Sequence, residues 1–196
     1  MILLGAGDPA QSGADRDAET ISRHRPRSFS HGEAGVLERE PRRGDRELRE
    51  PVEAGAVPGR DAMRAMRLAL QDAALSTEEI ELVNAHGSST PLNDRIETRA
   101  IKEVFGERAR RIPVSGTKGM HAHALGASGA MEAAIAALSV SEGYLPATAN
   151  LDHPDPECDL DYVPRVGRAG PVRTLISNSF GFGGTNACLV LKTTAI

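Results

Sequence analysis

Side chains that can move protons or stabilise negative charge gather at four places along this sequence. They are His86 with Ser88 and Thr90, Lys118 with His121 and His123, Glu132, and the glycine-rich turn 180–185. Loops at the ends of strands and helices are where α/β proteins place their sites. Taken singly, none of the four is specific, because a histidine after a strand is usually structural and a glycine-rich turn can simply join two strands.

The surrounding sequence predicts the elements that would position these residues. Apolar residues recur at helical spacing from Asp61, again from Pro91 until Gly106, and over 126–141 until Gly143. Asp61 is the expected cap of the first helix. The predicted strands are 80–85, 112–115, 173–177 and 187–192, and prolines between 146 and 164 indicate an extended linker. This alternating order predicts a layered α/β domain.

Composition excludes several classes of partner and compartment. The net charge of -4 and the pI near 5.9 provide no basic surface for nucleic acid or an anionic membrane. Two cysteines in 196 residues make a disulfide framework improbable and suit a reducing cytosol. The first 17 residues lack the apolar stretch of a secretory signal, and Glu132 interrupts the longest apolar run, 124–140. We therefore expect a cytoplasmic protein.

The sequence divides into two regions that differ in their pattern of apolar and charged residues. Residues 1–58 contain few periodic apolar positions and a run of charges between Pro41 and Pro51. Such a segment buries too little apolar surface to offset its ordering entropy, so we expect it to be loosely ordered. Within it, 31–38 is a candidate brief strand or turn. Residues 59–196 are the predicted folded domain.

Four long motifs occur in order within the second region. The first reads Val-Asn-Ala-His-Gly-Ser-Ser-Thr-Pro-Leu-Asn-Asp at 83–94, and the second reads Thr-Lys-Gly-Met-His-Ala-His-Ala-Leu-Gly-Ala-Ser-Gly-Ala at 117–130. Two more follow at 154–164 and 178–186. Together they resemble the type II elongating β-ketoacyl-[acyl-carrier-protein] synthases over roughly 60–196. The resemblance implies the C-terminal half of a thiolase-like fold, a layered α/β sheet covered by helices.

The resemblance also implies catalytic roles for five residues in a decarboxylating Claisen condensation of acyl and malonyl thioesters. His86 and His123 would donate N–H groups to the malonyl thioester, where negative charge develops. Lys118 would orient the neighbouring groups, acting through Glu132. The backbone N–H of Phe182 would form part of the oxyanion hole.

Substrate contacts and partners follow from the same resemblance. Ser88 and Thr90 would bind the pantetheine arm, and Phe182 with Gly183 would border the acyl pocket. No cofactor is implied, because the substrates travel on the phosphopantetheine of an acyl carrier protein. The implied partners are this carrier protein and either a second copy or a synthase N-terminal half.

Two residues depart from the family pattern. Ala122 stands where glycine is usual, which adds a methyl group beside His123. His121 is also unexpected, and it opens a rival interpretation in which His86, His121 and His123 bind a metal. No carboxylate or cysteine completes that set in sequence, so the condensing site is favoured.

The family's cysteine nucleophile has no counterpart in residues 1–60, which contain no cysteine. Cys158 and Cys188 match positions that the family uses for structure, where a small buried hydrophobe is expected. Three hypotheses stay open: a split acyltransferase needing a separate N-terminal half, a noncatalytic partner of an intact synthase, and an inactive remnant.

Overall fold

The computed structural model describes residues 2–5, 59–181 and 184–194. Its α-helices are α1 (Arg60–Asp72), α2 (Pro91–Phe105), α3 (Lys118–His121) and α4 (Ser128–Glu142). Its strands are β1 (Ile2–Gly5), β2 (Leu82–Asn84), β3 (Val114–Ser115), β4 (Tyr144–Leu145), β5 (Arg168–Ala169), β6 (Thr174–Phe180) and β7 (Asn186–Thr194). Short 3-10 helices occupy Thr77–Glu79, Gly106–Arg110 and Leu125–Ala127.

Five strands form one mixed sheet in the order β1-β7-β6-β2-β3. The strand β2 runs parallel to both β3 and β6, with Asn84 opposite Ser115 on one side and Ser177 on the other. The strand β7 is antiparallel to β6 and parallel to β1, whereas β4 and β5 form a separate antiparallel pair. Because β2, β3 and β6 are parallel, their carboxyl ends meet at one edge of the sheet.

Apolar residues on alternate positions of the strands build a core on each face of this sheet. Val83 and Ile176 pack with residues of α1 and α2, while the preceding residues, Leu82 and Leu175, pack with residues of α4. This alternation is the two-residue period of a strand buried on both faces. The helices therefore cover the sheet on both sides, as the predicted layered α/β class requires.

Most of the predicted elements are present, and the cap of α1 is a correction. Gly59, not Asp61, is the N-cap, with φ of 88° and no side-chain capping bond. The reason is a close approach, because a Cβ at Gly59 would lie 3.0 Å from Ile96 Cγ2 on α2. Gly143 ends α4 as predicted, in the left-handed region at φ 61°.

Other predicted boundaries shift by a few residues or cannot be compared. The strand predicted at 80–85 is confined to 82–84, and the β4–β5 pair was not predicted. Within 1–58 the structure describes only β1, and the segment 31–38 lies outside the described residues. Among the helices that the structure describes, none is long and apolar enough to cross a membrane.

Candidate active site

The carboxyl edge of the parallel strands brings together three of the four places that the sequence singled out. His86 follows β2, Lys118 follows β3, and Phe180 ends β6. The Lys118 ammonium lies 3.5 Å from His86 Nδ1 and donates a short hydrogen bond to the His86 carbonyl oxygen. The motifs that are far apart in sequence therefore form one site.

A buried carboxylate that sequence reasoning missed holds the backbone of this site. Glu97 on α2 accepts hydrogen bonds from His86 N at 2.8 Å, from Gly87 N at 2.9 Å and from Asn178 Nδ2 at 3.1 Å. Burial raises the pKa of Glu97, and these donors act against the rise. The available signal was its helical spacing, because Glu97 lies three and four residues before the apolar Ala100 and Ile101.

The position of one proton on His86 follows from its neighbours. The Phe180 backbone N–H donates to His86 Nδ1 at 3.3 Å, so Nδ1 carries no proton and Nε2 does. Burial, followed by the charges of Lys118 and His123, lowers the pKa of His86 to about 4. At neutral pH this side chain is therefore a neutral imidazole with one N–H to donate, at Nε2.

His123 has the same tautomer but a different setting. It lies on the exposed segment between α3 and α4, where the Leu125 N–H donates to Nδ1 at 3.3 Å and Ser128 Oγ lies 3.0 Å from the same nitrogen. The His123 and His86 ring centroids are 5.5 Å apart, edge to face at 82°. Among the described residues, no backbone group contacts the Nε2–H of either ring, so the site presents two imidazole N–H donors.

Lys118 and Glu132 form a buried ion pair beneath the histidines. Lys118 Nζ contacts Glu132 Oε1, and the two side chains are 5% and 1% exposed. Burial raises the pKa of Glu132, and the hydrogen bond and charge of Lys118 oppose that rise. The predicted orienting partner of Lys118 is thus in contact with it.

The residue before His123 is strained. Ala122 has φ of 61° and ψ of -179°, a region that is almost reserved for glycine. It caps the C-terminus of α3 through a bond from its N–H to the Lys118 carbonyl. The methyl group noted in the sequence therefore falls at a position where glycine would be unstrained.

The predicted substrate-binding residues divide into two groups. Ser88 Oγ and Thr90 Oγ1 lie 3.1 Å apart beside the site, and Thr90 also caps α2 by accepting from Asn93 N at 3.2 Å. Phe182 and Gly183 lie outside the described residues, so their predicted roles stay predictions.

The two cysteines lie on elements other than those that carry the histidines. Cys158 lies in the loop between β4 and β5, and Cys188 on β7 donates through Sγ to Asn178 Oδ1 at 3.2 Å. Burial raises the pKa of both thiols, which disfavours the reactive thiolate. Both side chains are half-buried, so they are less enclosed than the expected buried hydrophobes. Across the described ranges, no three His, Cys, Asp or Glu side chains converge as a metal site.

Comparisons with known proteins identify the family of this chain. The family model for the β-ketoacyl synthase C-terminal domain matches residues 50–152. A 3-oxoacyl-[acyl-carrier-protein] synthase 2 from Synechocystis sp. is 50% identical over 141 residues, which are 72% of this chain and 34% of that protein. The chain thus spans about a third of the length of the curated relatives it matches.

Solved structures show the same fold. The ishigamide ketosynthase/chain length factor matches with a TM-score of 0.65 and 38% identity, over 68% of this chain and 32% of that one. A type II polyketide ketosynthase in complex with its acyl-carrier protein matches with a TM-score of 0.66 and 40% identity, over 68% and 33%. These likenesses confirm the predicted thiolase-like class. The chain belongs to the β-ketoacyl synthase family, in the part that forms its C-terminal domain.

Proposed function

We propose that this chain supplies the decarboxylating half of a β-ketoacyl synthase site. His86 and His123 would donate their Nε2–H groups to the thioester oxygen of a malonyl group carried on an acyl carrier protein. The single observation that carries this proposal is their shared tautomer, since a backbone N–H occupies Nδ1 of each ring. Two N–H donors on rings whose centroids are 5.5 Å apart suit one developing oxyanion.

The decarboxylating step needs hydrogen-bond donors at the thioester oxygen more than it needs proton-donating acids. When the bond between the malonyl carboxylate and its α-carbon breaks, carbon dioxide leaves and the electron pair passes into the thioester carbonyl as an enolate. The low pKa of His86 keeps it neutral, so it stabilises the enolate oxygen by hydrogen bonding without quenching the carbanion. In condensation the α-carbon of the enolate then attacks the carbonyl carbon of an acyl thioester, the acyl carbon–sulfur bond breaks, and the thiolate that had carried the acyl group leaves.

The condensing step requires a thiol from outside the described residues. Burial raises the pKa of the Cys158 and Cys188 thiols, so neither suits the role of nucleophile. We therefore propose that a cysteine-bearing N-terminal half completes the enzyme. A related polyketide ketosynthase forms a complex with its acyl-carrier protein, which supports a carrier protein as the donor of substrate.

The test separates decarboxylation from condensation. The purified chain is incubated with malonyl-acyl carrier protein, with and without an N-terminal half, while carbon dioxide and product length are followed. We expect His86→Ala and His123→Ala each to slow carbon dioxide release by roughly 100-fold, as the loss of an oxyanion donor does. The exposed His153→Ala is the matched control and should keep the wild-type rate. Equal rates in all three variants, or no release by the wild-type chain under either condition, would refute the proposal.

A second candidate function is a noncatalytic partner of an intact synthase. The helix α4 exposes an apolar stripe of Ala130, Ala134 and Leu138, and Leu138 is 62% exposed. Such a stripe on a helix is typical of a surface that packs against another chain. Size exclusion with an intact synthase decides this candidate, because Leu138→Glu should abolish the complex while Glu142→Gln, also exposed on α4, should not.

A further inference from the structure

Lys118 lies on the lysine turn, residues 115–119, and this turn packs against the supporting segment, residues 146–150, which follows β4. Hydrogen bonds or close contacts join the two at Ser115 with Pro146, Gly116 with Thr148, and Gly119 with Ala149. The contact at Gly119 leaves no room for a side chain, since an added Cβ would lie 2.7 Å from the Ala149 carbonyl oxygen. The position of the lysine turn therefore depends on the supporting segment.

Thr148 ties these two segments to a third, the loop before β5. Its hydroxyl donates to the Tyr162 carbonyl oxygen at 2.5 Å, so its single proton is used and its oxygen accepts from the Gly116 N–H at 2.9 Å. Its backbone N–H donates to the Val163 carbonyl oxygen at 2.8 Å, and its carbonyl oxygen accepts from the Arg165 N–H at 3.1 Å. Thr148 is therefore fixed from both sides, and its hydroxyl carries that fixed position to the lysine turn.

Gly116 lies between Thr148 and the residues that follow β2. A Cβ on Gly116 would lie 3.4 Å from Thr148 Cγ2, and a Cβ on Gly87 would lie 3.4 Å from Gly116 Cα. Two residues after Gly116, Lys118 donates to the His86 carbonyl oxygen. A shift of the lysine turn away from Thr148 would therefore change the distance between Lys118 and His86.

We propose that Thr148 is a positioning residue of this site, whose hydroxyl holds the Gly116 N–H and thereby keeps the lysine turn at its distance from His86. The meaning for catalysis rests on the proposed function, whereas the hydrogen bond itself does not. Among the described residues, Thr148 has no hydrogen bond to His86, His123 or Lys118. Its removal should therefore act on kcat through the geometry of the site and leave KM unchanged.

The kinetic test compares Thr148→Val, which removes the hydroxyl at nearly constant volume, with Thr148→Ser, which keeps it. Carbon dioxide release from malonyl-acyl carrier protein is followed for the full chain with an N-terminal half, below the unfolding temperature of each variant. Thr148→Val should lower kcat about tenfold and keep KM within about twofold, and Thr148→Ser should stay within about twofold of the wild type in both.

The matched control for this test is Ser139→Ala. It removes a buried hydroxyl that donates to the Ile135 carbonyl oxygen of its own helix, and it should keep the wild-type kcat. A wild-type kcat in Thr148→Val, or equal losses in Thr148→Val and Thr148→Ser, would overturn the proposal.

Hydrogen exchange tests the Gly116 bond without turnover. In the wild-type chain the Gly116 amide should be protected, and in Thr148→Val it should exchange about tenfold faster while the Val114 amide keeps its rate. A merely structural role would change both amides together. If Thr148→Val does not fold, the wild type decides, because a Gly116 amide that exchanges like an exposed one would overturn the proposal.

The side-chain nitrogen-15 signal of Lys118 reports whether the lysine turn has moved. It should shift in Thr148→Val and keep its wild-type position in Thr148→Ser and in Ser139→Ala. An unshifted Lys118 signal in Thr148→Val would overturn the proposal. A wild-type chain that releases no carbon dioxide with the N-terminal half would refute the proposed function, whereas hydrogen exchange and the Lys118 signal would still decide the role of Thr148.

Discussion

The two histidines of the site share a tautomer but are held by different kinds of structure. His86 is 7% exposed at the end of a central strand, and its backbone N–H is fixed by Glu97 from a neighbouring helix. His123 lies on an exposed segment between α3 and α4, and the groups that hold its ring come from residues two and five positions further on. One ring is therefore set by tertiary packing and the other by local backbone geometry.

This difference indicates what each histidine depends on. Changes in the sheet or in α2 should disturb His86 first, since its partners come from distant parts of the chain. Changes in the short connection should disturb His123 first, because the hydrogen-bond partners of its ring lie within that connection and the start of α4. Substitutions in the two regions can therefore be used to separate the two donors.

The largest expected effect comes from removing Glu97. In Glu97→Ala, the N–H groups of His86 and Gly87 and the amide of Asn178 lose their acceptor inside the protein. Each buried donor without a partner costs about 1–3 kcal/mol, so we expect the free energy of unfolding to fall by about 4 kcal/mol. Urea denaturation measures this change, and the NMR signals of the His86 ring should move far more than those of His123.

A matched control for this change lies on the same helix. The exposed Glu103→Ala should alter the free energy of unfolding by less than about 0.5 kcal/mol. If Glu97→Ala and Glu103→Ala had similar small costs, His86 would not depend on tertiary packing and the contrast between the histidines would be wrong.

The second largest expected effect is that the titration of His86 makes the free energy of unfolding depend on pH. Its folded pKa of about 4 lies below the ordinary value of 6.5, so its contribution is complete above pH 6.5 and is lost as pH falls toward 4. The difference between these two pKa values corresponds to about 3 kcal/mol of the free energy of unfolding. We expect the free energy of unfolding of His86→Ala to lose about 3 kcal/mol less than the wild type between these pH values, measured by urea denaturation at each pH. Parallel losses in the two proteins would contradict this, and His153→Ala should follow the wild type.

The sequence predicted those features of the site that depend on short motifs and on the spacing of apolar residues. The motif positions of His86, Lys118 and His123 predicted a shared site, and the helical spacing after Pro91 predicted α2 closely. The contact between Glu97 and His86 N could not be derived from spacing alone, because it depends on how α2 folds back against the end of β2. For the same reason Asp61 was wrongly predicted as a cap, since the packing of α1 on α2 selects Gly59.

The sequence also could not predict which ring nitrogen of each histidine carries the proton. The tautomers of His86 and His123 are set by the N–H groups of Phe180 and Leu125, and no residue pattern indicates which ring nitrogen a backbone donor will reach. The same holds for Nδ1 of His121, which has no hydrogen-bond partner among the described residues. Two-residue strands such as β4 and β5 are too short to show the alternation that predicts a strand.

The smallest expected effect concerns the connection that carries His123. Ala122→Gly removes a methyl group from a residue at φ 61°, which relieves strain but adds freedom to the unfolded chain, so we expect a net stabilisation of about 1 kcal/mol. Ala124→Gly is the matched control, because Ala124 has φ of -81° and its replacement should destabilise by about 0.5–1 kcal/mol. Thermal and urea denaturation measure both changes. Destabilisation by both glycines would mean that the backbone at Ala122 is held without strain. Opposite signs would show that His123 is positioned by a connection that stores local strain, in contrast to the packed strand end that positions His86.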